Sequence, residues 1–101
     1  RVPYLLELAR IESTRGGFAR AEELTREGIA TLRRHGATPG SPAVLEARAL
    51  LAEIWSQQGL GDQARDLARE LLAAAQELEA RHPVRTAVTA AASRLGVGSP
   101  D

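Results

Sequence analysis

The stretch Gly59-Leu60-Gly61-Asp62-Gln63-Ala64 has closely spaced glycines, whose amides could in principle cradle a phosphate. A nucleotide loop of that kind needs a strand before it and a Lys after it. Here the preceding residues are helical in pattern, and all thirteen basic residues of the chain are Arg. His35 and His82 are the two imidazoles. A metal centre needs three or four converging ligands, which two distant His do not supply. Each instead follows what reads as the second helix of a pair, where a cation complements the carbonyl end of the helix. Arg33-Arg34-His35 and Glu22-Glu23 read the same way, as charges matched to the two ends of one helix dipole. There is no Cys for thiolate chemistry and no plausible Ser–His–acid arrangement. The expectation is a chain without catalytic residues, cofactor or metal.

Bulk properties narrow the classes further. Thirteen basic and thirteen acidic residues cancel, whereas a protein built on phosphate contacts carries a basic stripe, so nucleic acid is not expected. No apolar run approaches the roughly 20 residues that span a bilayer, and nothing resembles a signal peptide, so a cytoplasmic location is expected. Arg without Lys, beside abundant Ala and Gly, fits a GC-rich bacterial genome. A start at Arg1 rather than Met reads as a segment of a larger protein.

The elements that would position any site are helices. Leu5, Leu8, Ala9 and Ile11 mark one face of a helix from about Pro3 to Thr14, broken by Arg15-Gly16-Gly17. Phe18, Ala21, Leu24, Gly28, Ile29 and Leu32 recur at steps of three and four in a second, closed by Gly36. Residues 35–42 form a Gly/Pro loop, and Ser41-Pro42 reads as an N-cap and first helical residue. A third helix carries Val44, Leu45, Leu51, Ile54 and Trp55 to Gly59. A fourth is expected to start at Asp62 as its N-cap and to run through Leu78 for about 20 residues, until His82-Pro83 stops it. The fifth, about Val84 to Leu95, would turn Ala87, Val88, Ala91 and Leu95 inward, followed by a tail from Gly96.

The halves are copies. At an offset of 43 residues, Leu8/Leu51, Ala9/Ala52, Ile11/Ile54, Ser13/Ser56, Gly16/Gly59, Ala21/Ala64, Leu24/Leu67, Arg26/Arg69, Glu27/Glu70 and Ala30/Ala73 coincide. That is ten identities in 23 positions, where composition alone would give roughly two. Each copy is a helix, a Gly-bearing turn and a second helix, with small residues where the backbones approach.

This pattern resembles the tetratricopeptide repeat (TPR) family. Leu51-Ala52, Trp55, Gly59 and Ala64 meet its spacing in full; Leu8-Ala9, Gly16, Phe18 and Ala21 meet it in part, with Glu12 where the aromatic belongs. The period exceeds the family's usual length of about 34 residues, as it does in the arrays of kinesin light chains. The resemblance implies an all-α solenoid of antiparallel hairpins: one repeat over residues 3–36, a second over 41–81, a capping helix over 83–95 and a tail over 96–101. Trp55 would then fill space between helices. The first helix of each pair would line a concave groove, here with Leu6, Arg10, Ser13 and Thr14, then Glu46, Ala49, Glu53, Ser56 and Gln57, and from the fifth helix Arg85 and Thr89. Arg10 and Glu53, one repeat apart, would face each other across it. Only Arg10 of the nine groove residues from the first and third helices is cationic, which disfavours a clamp for a C-terminal carboxylate.

The function implied is a protein- or peptide-interaction module in a bacterial regulatory or signalling protein. It would bind through the groove or self-associate through its end helices. A small-molecule-sensing helical domain is the rival, which would need an apolar cavity with converging polar groups. A DNA-binding helical bundle is a third reading, which the balanced charge disfavours.

Overall fold

A computed structural model of the chain describes residues 2–98. They form five helices: α1 (Val2–Thr14), α2 (Phe18–Arg34), α3 (Pro42–Gln57), α4 (Gly61–Ala75) and α5 (Pro83–Arg94). Among the described residues there is no strand. α1 with α2 and α3 with α4 are hairpins, and α5 packs on both α3 and α4.

The hairpin turns have a common cause. Gly16 and Gly59 sit at φ +85° and +89°, the left-handed region that side chains with a Cβ disfavour. Their conformation lets the next amide reach back: Gly17 N–H donates to the Glu12 carbonyl at 2.7 Å, and Leu60 N–H to the Trp55 carbonyl at 2.9 Å. Each helix is thereby closed and the chain reversed within three residues. The same turn follows α5, where Val97 N–H donates to the Ala92 carbonyl at 2.8 Å.

Two clusters make the core, and α3 contributes to both. Ala47, Leu50 and Ile54 join Leu5, Leu6, Ala9, Ala21 and Leu24 of the first hairpin. Leu45, Ala49, Leu51 and Ala52 join α4 and α5 through Leu67, Leu71, Val88, Ala91 and Ala92. Eight of the sixteen α3 residues are therefore buried. Thr25 is fully buried in α2 with its hydroxyl donating to the Ala21 carbonyl at 2.8 Å, which satisfies it without a partner helix.

Several sequence expectations are corrected. Ile11 was expected inward with Leu8 but is 44% exposed, because α1 has no helix before it to cover that face. In α5 Val88 and Ala91 are buried as expected and Ala92 joins them, while Ala87 is exposed and Leu95 half-buried. α4 begins at Gly61 with Leu60 as its cap, and Asp62 pairs with Arg65 instead of capping. It ends at Ala75, so Leu78 lies in a turn, where its carbonyl accepts from Arg85 Nη1 at 2.9 Å. His82 does not serve the end of α4 either. It is the N-cap of α5, its Nδ1 accepting from Val84 N–H at 3.1 Å. His35 does stand at the C-cap of α2.

Two glycine substitutions separate backbone strain from packing. Gly59→Ala meets open space, so its expected loss of about 1–2 kcal/mol in urea unfolding is conformational. Gly28, inside α2, faces Leu6 and Val2 at ordinary contact distance for a new Cβ, 3.5 and 3.7 Å. Gly28→Ala should therefore raise stability, by up to about 1 kcal/mol.

Candidate partner-binding groove

Side by side, α1, α3 and α5 form one surface, but the two junctions differ. α3 and α5 meet through Ala49, Ala52, Ala91 and Ala92, whose small side chains allow close approach. The backbones of α1 and α3 approach much less closely, although their side chains share one core cluster. The gap between them forms two depressions along the helices. The first, about 350 Å³, is walled mainly by apolar groups, Val2, Pro3, Leu6, Leu32 and Ala43, with Glu7, Arg10 and Glu46 at its edge. The second, about 340 Å³, is polar, lined by Arg10, Ser13, Thr14, Leu50, Glu53, Gln57 and Arg94. Arg10 belongs to both and stands where they join.

Seven of the nine expected groove residues from α1 and α3 therefore line this gap: Leu6, Arg10, Ser13, Thr14, Glu46, Glu53 and Gln57. Leu6 does so as a core residue at 6% exposure, forming the wall and not a free side chain. Ala49 is buried in the core cluster that α3 shares with α4 and α5 and is absent from the lining, as is half-buried Ser56. Arg85 and Thr89 lie elsewhere. Arg85 holds the α4–α5 turn through Leu78 and Gln76, and Thr89 donates to the Arg85 carbonyl.

The expected pairing of Arg10 with Glu53 is replaced by another. Arg94 of α5 donates to Glu53 Oε2 at 2.9 Å, while Arg10 pairs loosely with Glu7 at 3.6 Å. Across the gap the Ser13 hydroxyl donates to Gln57 Oε1. Arg94 was missed, although a signal existed. The repeated Ser-x-x-Gly at Ser13–Gly16, Ser56–Gly59 and Ser93–Gly96 sets Arg94 level with Thr14 and Gln57. Trp55, expected to fill space between helices, is half-buried and packs against the core cluster on the side of α3 away from this gap, with the Arg26 guanidinium 5.9 Å from its ring centroid.

No family model matches the sequence, and no curated protein matches it. Among solved structures, the crystal structure of a Podosopora anserina protein described as a kinesin light chain, with nearly identical TPR-like repeats, is similar at a TM-score of 0.79 and 26% identity. The match covers 94% of this chain and 45% of that one, so this chain spans less than half its length. The chain has a TPR-like repeat fold, the architecture of five helices and no strand described above. Such folds generally mediate protein interactions and are typically non-catalytic. No helix among the described residues is long and apolar enough to cross a membrane.

The Arg94–Glu53 pair joins α5 to α3 at partly exposed positions. A double-mutant cycle with Arg94→Ala and Glu53→Ala should give a coupling of about 0.2–1 kcal/mol that fades as salt rises. The matching cycle with Arg10→Ala and Glu53→Ala should give none.

Proposed function

We propose that this chain is an interaction module that holds an extended segment of a partner protein in the groove between α1 and α3, within a larger regulatory or signalling protein. The observation that carries the reading is the gap itself. α1, α3 and α5 lie side by side, yet the backbones of α1 and α3 are less closely packed than those of α3 and α5, and the gap is apolar at one end and hydrogen-bonding at the other. A segment lying along it would bury apolar side chains beside Leu6 and Leu32 and direct polar groups to Ser13, Thr14 and Gln57. Glu7, Glu46 and Glu53 outnumber Arg10 and Arg94 in the lining. A neutral or basic segment suits this balance better than a carboxylate terminus.

Edge-on stacking supports the same class of function. Tyr4 is 67% exposed and Ile11 44%; their equivalents one repeat on, Ala47 and Ile54, are fully buried against the first hairpin. The outer face of α1 thus offers a further helical pair, or a second copy, the contact that α3 already makes. The arginine-only basic set favours a bacterial source.

A displayed library of random peptides selected against the chain tests the groove. Enriched peptides should share an apolar segment flanked by uncharged or basic residues. Their affinity should fall roughly tenfold or more when Glu46→Lys or Gln57→Trp alters the lining, and should be unchanged by Arg33→Gln on another face. Enrichment no better than against an unrelated helical protein would sink the reading, as would peptides indifferent to both groove variants.

A further inference from the structure

We propose a second binding site on the side of α3 opposite the groove, for a small organic anion with an apolar body. At 3.6 residues per turn, Val44, Arg48, Leu51 and Trp55 share one stripe of α3, roughly half a turn from the groove stripe of Glu46, Leu50, Glu53 and Gln57. α2 and α4 flank this stripe without touching each other. A cleft of about 390 Å³ is left between them. Its floor is apolar, with Val44 2% exposed and Leu51 and Leu67 each 5%, and Ile29 adds a wall. Pro39 and Trp55 line it as well, so it has the size and finite length of a small-molecule pocket rather than a track for a peptide.

Three guanidinium groups line the same cleft, Arg26, Arg33 and Arg48. They are not equally available. Arg26 is committed, donating from Nε and Nη2 to Glu22 Oε2 at 3.0 and 2.8 Å while lying over the Trp55 ring. Arg48 donates from one nitrogen to exposed Glu70 at 3.1 Å, which leaves its other donors unused. Arg33 makes no side-chain hydrogen bond or ion pair among the described residues, and no acidic residue lines the cleft. In a chain of zero net charge, this is a local positive excess above an apolar floor. An anionic head would take the free donors of Arg33 and Arg48. The apolar body would lie over Leu51 and Leu67 towards Trp55.

The second repeat supplies an internal control. Arg69 and Leu72, equivalents of Arg26 and Ile29, line a depression of similar size beside Gly96 and Val97, but with one arginine and no aromatic ring. The repeat geometry therefore makes the hollow, and residues particular to the first junction supply its chemistry. The site is independent of the groove, since it shares no lining residue with either depression there.

Trp55 is the sole Trp, so its fluorescence reports on this cleft directly. The 101-residue chain is titrated with 4-phenylbutyrate, and with 4-phenylbutanol and 4-phenylbutylamine as neutral and cationic matches. The carboxylate should give a saturable change in Trp55 emission, with the alcohol and the amine weaker by roughly tenfold or more. Arg33→Gln, an exposed side chain whose loss leaves the fold intact, and Arg48→Gln should each weaken the carboxylate roughly tenfold. The groove variant Arg10→Glu should bind as the parent does. Equal responses to all three compounds would overturn the proposal. So would unchanged affinity in Arg33→Gln, or no saturable response at millimolar carboxylate.

Discussion

The burial of α3 on two opposite sides is the constraint from which the rest of the molecule follows. One side packs on the α1–α2 hairpin through Ala47, Leu50 and Ile54, the other on α4 and α5 through Leu45, Ala49 and Ala52. A helix so placed cannot carry the single apolar stripe of a surface helix, and α3 is apolar over most of its circumference. Apart from half-buried Ser56, its few polar residues lie on the two sides left uncovered. Glu46, Glu53 and Gln57 face the gap towards α1, and Arg48 faces the cleft between α2 and α4. Both candidate binding surfaces are thus consequences of how one helix is clamped, and both use α3 as a wall.

The two repeats obey the same rules and are filled differently. Gly28 in α2 corresponds to Leu71 in α4. At Gly28 there is room for no more than a Cβ at ordinary contact distance from Leu6 and Val2 of α1, whereas fully buried Leu71 occupies the equivalent position in the second hairpin. Glu12 corresponds to Trp55. Glu12 lies back over Gly17, where a Cβ would meet its carboxylate at 2.6 Å, while Trp55 stands beside Arg26 at the mouth of a cleft. Duplication supplied the scaffold, and departures from it made one junction chemically distinct.

Much of this was legible in the residues. Alternation of threes and fours gave the helices, and the coincident Gly16 and Gly59 gave the reversals, because both are local properties of the chain. What was not legible depends on neighbours. Ile11 has the same residue type and repeat position as Ile54, yet one is exposed and the other buried, since only α3 has a hairpin stacked before it. The partner of Glu53 turned on which side of α3 receives α5, a fact that no spacing within one repeat encodes. The early end of α4 reflects a competition that propensity ignores: Arg85 takes the Leu78 carbonyl and the Gln76 side chain, fixing a turn where Glu77, Leu78 and Ala80 could have continued a helix. Most residues that line the α1–α3 gap could be named in advance because their placement follows from the repeat, and those of the cleft could not, because it lies on the face that the repeat analogy leaves unused.

Native-state hydrogen exchange tests the clamped-helix account most directly. If α3 is held from both sides, its amides from Leu45 to Ile54 open only with global unfolding, and they should exchange more slowly than those of α1, α2, α4 or α5. Exchange in α3 as fast as in α1 or α5 would contradict the account, since each of those has a face with no helix against it.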